Sequence, residues 1–299
     1  MPSTLSAATI GVTPETVTFP SGDGTIVAHL YLPAGYDAAK RYPAVAIGGS
    51  FSSVKEQMGG IYGGELAKRD VIGLAIDYRN YGERTGTIRQ YENPVSKAED
   101  MASALRYLRS RPDVSGAGLL GVCTSATAVL MAAAEDPTIG AVATVAGTYV
   151  VPSMWGNLDR RRDAARKAKK KYDETGVVDT VAAYSPINPS AVNTVPMPYY
   201  LSPKRGNVPE WTNEFAVMAW ADMIQADALA AAAKVTSPTL VVHAQFAAFP
   251  KLARQVHENL AGPKELHWTS GSHFNFYDQP AKVHETADKL AAHFTAKLS

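Results

Sequence analysis

Cysteine is nearly missing from this chain: Cys123 is the only one in 299 residues. A lone thiol excludes an internal disulfide framework and makes a reducing cytoplasm the expected compartment. Charge of one sign is not in excess either. The 29 Lys and Arg stand against 28 Asp and Glu, so neither nucleic acid nor an acidic membrane surface is an expected partner. No window holds 18 uninterrupted apolar residues, and the first residues lack the basic and apolar regions of a signal peptide. Neither a membrane span nor a secretory leader is therefore expected. Internal repeats and low-complexity tracts are also missing.

What is present is an alternation. Two β-rich runs, 16–20 and 25–33, flank Ser21-Gly22-Asp23-Gly24, whose Asp-Gly pair signals a hairpin. Residues 1 to about 14 read as a loose arm before them. Short apolar runs at 42–47, 71–77, 139–146, 238–244 and 265–269, and the run into Gly121, fit buried strands. Helical spacing falls between them, at 57–69, 98–109, 126–135, 252–260 and 281–298. Alternation of this length predicts an α/β protein with a doubly wound, mostly parallel sheet. It pauses over 148–234. There, 159–171 is dense in Arg and Lys, which reads as a solvated helix face in a neutral chain. A Pro- and Tyr-rich stretch and a further helical part, 211–233, follow. The block predicts a helical cap inserted before the last two strands, leaving 1–147 and 235–299 as the core.

The chemistry centres on Leu119-Leu120-Gly121-Val122-Cys123-Thr124-Ser125. An apolar run enters a Gly-x-Cys-x-Ser turn and an alanine-rich helix leaves it. Such a turn strains its central residue and lifts the side chain clear of the sheet. By residue type alone a lone cysteine is a small buried hydrophobe; the flanking Gly121 and Ser125 favour a nucleophile. The helix that follows is expected to favour thiolate over thiol. Reactive groups of open α/β sheets gather at the carboxyl ends of strands. His273, on the loop after the last strand, is the expected base. It either deprotonates the thiol or pairs with it as imidazolium. The backbone N–H groups of Thr124 and Phe51, with Ser50 next, are the expected oxyanion donors. The slot for an orienting acid reads His243-Ala244-Gln245-Phe246 and holds no carboxylate. Gln245 is the candidate there, through its amide oxygen, with Asp227 and Asp278 as fallbacks.

Four stretches carry a resemblance: Gly48-Gly49-Ser50-Phe51-Ser52-Ser53-Val54-Lys55-Glu56-Gln57-Met58, Asp77-Tyr78-Arg79-Asn80-Tyr81-Gly82-Glu83, Gly121-Val122-Cys123-Thr124-Ser125 and Gly271-Ser272-His273-Phe274-Asn275-Phe276-Tyr277-Asp278. Together they resemble the dienelactone-hydrolase-like group of α/β-hydrolases, over residues 15 to 297. The resemblance implies the α/β-hydrolase fold and a Cys–His–acid hydrolase of esters, lactones or thioesters. Such an enzyme works through an acyl-Cys intermediate on a small molecule, without a cofactor. The resemblance also implies a second outcome, an acyltransferase of a polyketide-type pathway. A non-hydrolytic lyase or a binding protein on the same fold is the alternative from another class, and a homo-oligomer stays open. Two departures stand out. Ser125 occupies the place of the elbow's second glycine and is expected to crowd the helix–strand contact, and Gln245 occupies the acid slot. Lys55 and Glu56 are read either as the start of a solvated helix or as groups with a structural or polar role at the pocket rim.

Overall fold

The computed structural model describes residues 4–83 and 88–299. The first three residues of the expected N-terminal arm lie outside that range. The hairpin forms, with Gly22-Asp23 rather than Asp23-Gly24 as its two turn residues: β1 (Glu15–Ser21) pairs antiparallel with β2 (Gly24–Tyr31), Ser21 opposite Gly24, and Gly22 takes φ 57°. The continuous apolar runs become β3 (Tyr42–Gly48) and β4 (Ile72–Ile76), in which every residue is buried. That pattern belongs to strands covered on both faces. Between them lies α1 (Met58–Ala67); α2 (Pro94–Arg109) follows β4, opened by Asn93, whose side chain accepts from the N–H groups of Val95 and Ser96. Then come β5 (Val114–Val122), α3 (Ser125–Glu135) and β6 (Val142–Val145).

The stretch from 148 to 234 holds α4 (Leu158–Thr175), a two-stranded ribbon of β7 (Thr180–Val181) and β8 (Phe215–Ala216), and the short helices α5 (Pro198–Leu201), α6 (Trp220–Met223) and α7 (Ala228–Ala232). The helical part expected over 211–233 is thus broken. Phe215 is drawn into the ribbon opposite Val181, and Asp227, in extended backbone, starts a new helix by capping Leu229 and Ala230. The chain closes with β9 (Thr239–Phe246), α8 (Pro250–Asn259), β10 (Lys264–Ser272), α9 (Asn275–Asp278) and α10 (Pro280–Leu298).

Among the described residues eight strands form one sheet, ordered β1-β2-β4-β3-β5-β6-β9-β10. β2 runs antiparallel to β4, and all pairs from β4 to β10 are parallel. α1 and α10 pack on one face and α2 and α3 on the other, so the sheet is doubly wound. Register aligns the carboxyl ends: Gly48 pairs with Gly121, Val122 with Val145, and Val145 with Val242. The loops after β3, β5, β6 and β9 therefore open at one rim, and the site forms there.

The arm expected to be loose is tied down. Ile10 is buried over Gly64, where an added Cβ would come within 2.5 Å of it, and the N–H of Leu5 donates to the carbonyl of Asp278. A hydrophobic contact to a helix glycine has no local periodicity to announce it.

Candidate active site

Cys123 sits at the junction of β5 and α3 with φ 57°. The left-handed region costs a non-glycine residue about 1–2 kcal/mol, and the surroundings fix it there. The N–H of Cys123 donates to Val145, and its carbonyl accepts from Ala126 and Thr148. Gly121 has to be glycine, because a Cβ would lie 2.4 Å from the carbonyl oxygen of Ser125. That contact is with the Ser125 backbone and not with its side chain. Its buried hydroxyl donates a short hydrogen bond to the carbonyl of Gly49 and lies 2.7 Å from the hydroxyl of Tyr78. The serine thus ties the elbow to the loop after β3.

That loop is held from both sides. Below it, Lys55 is buried rather than solvated, and its role is structural. Its Nζ is buried between Asp77 (2.9 Å), Glu56 (2.7 Å) and Glu83 (2.9 Å), and its N–H donates to Asp77. Buried Glu92 accepts from Tyr81, from Lys97 and, at 3.4 Å, from the N–H of Ser52, a residue with φ 56°. Above it, Tyr184 donates to the carbonyl of Phe51, and the hydroxyls of Tyr200 and Ser50 meet. With these groups tied back, the N–H of Phe51 and that of Thr124 face the Cys123 sulfur. The Ser50 hydroxyl meets that of Tyr200, which leaves its backbone N–H untouched.

Burial pushes the Cys123 thiol up in pKa; Thr148, Tyr277 and the two N–H groups only partly offset it. The expected thiolate preference from the helix is therefore outweighed by desolvation. Sγ stands 3.4 Å from Thr148 Oγ1.

His273 lies across the same cavity but does not reach the sulfur through its ring. Its Nε2 is 3.0 Å from the hydroxyl of Tyr277, a side chain that lines the cavity with Cys123. At the other side of the ring, Nδ1 accepts from the N–H of Ala248 at 3.3 Å. A donor thus occupies the position where a triad places a carboxylate acceptor. It assigns the ring proton to Nε2 and opposes a cationic ring. Burial adds to this and pulls the His273 pKa down to about 4.

None of the three expected orienting groups touches His273. Gln245 is exposed near the end of β9, and no hydrogen bond joins it to the ring. Asp227 is consumed as the cap of α7. Asp278 is buried in a two-bond ion pair with Arg205, at 2.6 and 2.7 Å. Tyr277, missed by the sequence reading, takes the place next to the ring. It follows His273 by four residues, and α9 turns that spacing into contact.

The cavity between these groups measures about 210 Å³. Phe51, Tyr184, Tyr200 and Phe274 line it together with Trp155 and Met197 from 148–234. No helix among the described residues is long and apolar enough to cross a membrane.

The eight-stranded sheet, the strained elbow and the histidine after the last strand define an enzyme of the α/β-hydrolase fold. Comparison with known proteins agrees. The chain is 26% identical to the uncharacterized protein YcjY of Escherichia coli K12, over 92% of this chain and 95% of that protein. The crystal structure of the hypothetical protein PA2218 from Pseudomonas aeruginosa superposes with a TM-score of 0.86 at 26% identity, covering 96% of this chain and 94% of that one. The thiohydrolase aneE of Aspergillus aculeatus is 29% identical over 51% of this chain and 52% of its own length. No family model matches the chain.

Proposed function

We propose that this enzyme acts on esters or thioesters by acyl transfer to Cys123. The observation that carries the reading is the sulfur on its strained elbow with two backbone N–H groups turned toward it. In the step we assign, Sγ attacks the acyl carbon and forms the S–C bond. The carbonyl oxygen becomes an oxyanion held by the N–H groups of Phe51 and Thr124. The thiol proton passes to Tyr277 as the phenol proton passes to His273 Nε2. That transfer needs the lone pair at Nε2, so the ring proton must first move to Nδ1 and the 3.3 Å contact with Ala248 must open. Collapse of the intermediate breaks the bond to the leaving group, which takes the proton back from His273 and leaves acyl-Cys123. The aneE likeness supports a thioester among the substrates.

A second reading concerns the acyl acceptor. The cavity wall is mostly apolar, and the donor at Nδ1 makes His273 a weak base toward water. Both observations favour transfer to a thiol, amine or alcohol over hydrolysis. Segment 148–234 serves as the cap over the acyl group in either case. The cavity is smaller than the roughly 300–1,000 Å³ of drug-sized ligand sites, so it suits a short apolar acyl group.

The test is intact-mass spectrometry after mixing with an activated acyl ester. The expected result is one acyl adduct, absent in Cys123→Ala. An adduct that survives this substitution, or none in the wild type, overturns the nucleophile. Decay of the adduct with and without an added thiol then separates hydrolysis from transfer.

A further inference from the structure

The basic run at the start of α4 is not uniform. Arg162 pairs with Asp159, Arg166 with Asp163, Lys169 with Asp173, Lys170 with Glu174 and Lys171 with Asp179. These are the solvated pairs that the sequence suggests, each worth little. Arg160, Arg161 and Lys167 have no carboxylate partner among the described residues, and the two arginines differ in where they stand. Both line a second cavity of about 390 Å³, bounded also by Gly156, Ser190, Val192 and Trp220. Arg161 is held in place there. Its guanidinium lies 3.8 Å from the Trp220 ring centre and its Nε donates to the carbonyl of Gly156, while its terminal nitrogens have no acceptor among the described residues. Burial and the neighbouring Arg160 both lower its pKa, the mark of a cation without a counter-charge.

This cavity adjoins the acyl site. Val192 lines both, and the wall between them is continued by Trp155, on the acyl side, packed edge-on at 5.3 Å against Trp220. Resting on the acyl-transfer reading, we infer that the Arg160–Arg161 cavity binds an anionic group, phosphate or carboxylate, carried by the substrate away from its scissile bond. A flat guanidinium with free terminal N–H groups matches such oxygens in a two-bond geometry. The acyl site is too small for a large substrate, and the second cavity supplies the remaining room beside it.

Two matched donor pairs distinguish the sources. A coenzyme A thioester against the N-acetylcysteamine thioester of the same acyl group places phosphate on the leaving side. The p-nitrophenyl ester of glutaric acid against p-nitrophenyl butyrate places carboxylate on the acyl side. The expected result is that kcat/KM favours the anionic member of one pair by roughly tenfold or more, the scale of one charge-assisted contact. That preference falls toward one in Arg161→Gln and persists in Arg166→Gln, on the same helix but outside the cavity. Preference in neither pair, or a preference untouched by Arg161→Gln, overturns the inference while turnover of the neutral donors keeps the catalytic reading. If no donor acylates Cys123, titration with inorganic pyrophosphate decides the cavity alone. A saturable change in tryptophan fluorescence, lost in Arg161→Gln, supports it, and its absence in the wild type overturns it.

Discussion

The two halves of the site are built differently. The Cys123 half, from the β3 loop to the β5 elbow, is buried and over-determined. Ser125, Glu92 and Lys55 tie it from the core, and Tyr184 and Tyr200 tie it from the opposite side. The His273 half, at the ends of β9 and β10, is held by one phenol and one backbone N–H, beside the exposed Gln245, Phe246 and Phe249. A strained backbone at Cys123 and Ser52 needs many partners to hold it. A histidine that serves a thiol needs fewer, because sulfur is intrinsically more nucleophilic and more easily ionised than a hydroxyl. Under the acyl-transfer proposal, rigidity is concentrated at the proposed oxyanion donors, and proton transfer is more loosely supported.

The comparison can be broken at its stiff end first. Lys55→Met strips the positive charge from buried Asp77 and is expected to cost about 3–5 kcal/mol, as for a broken buried ion pair. The urea midpoint measures it, and a loss under about 1 kcal/mol would mean that the loop is held without the cluster. At the loose end, His273→Gln is expected to slow acylation about 100-fold, the weak limit for general acid–base catalysis. Tyr277→Phe should slow it by a similar factor. Because the tyrosine acts through the histidine, the double variant should be no slower than the slower single one. Additive losses in stopped-flow acylation would place the two groups on separate paths. The smallest effect is expected from Gln245→Ala, with less than about a twofold change in kcat/KM, since an exposed substitution without partners is close to neutral.

How much of this is legible in sequence follows the same division. The elbow is local: Gly121, Cys123 and Ser125 lie within five residues, and the steric demand at Gly121 comes from Ser125 itself. The parallel strands announce themselves as unbroken apolar runs, because both faces are covered. The His273 half is tertiary. Nothing local reveals that the Ala248 N–H approaches His273, that Asp278 is taken by Arg205, or that Asp227 caps a helix. Tyr277 stands in the quoted Gly271–Asp278 motif, but its role depends on a four-residue helix too short to show a period. The ionisation of Cys123 also escapes sequence. The helix behind it is readable, whereas the burial that outweighs the helix is a property of the assembled cavity.

The most direct measurement of the central claim is the pH dependence of Cys123 acylation by an activated ester, followed by intact mass in single-turnover mixing. With its pKa near 4, His273 stays neutral from pH 5 upward, and the buried thiol stays protonated through neutrality. The base is therefore competent across the whole interval. The account predicts a rate constant to within roughly twofold between about pH 5 and pH 8. A rate that falls on acidification with a midpoint near the ordinary imidazole value of about 6.5 would contradict it. That result would mean that His273 has an acceptor at Nδ1 and works as part of an ion pair.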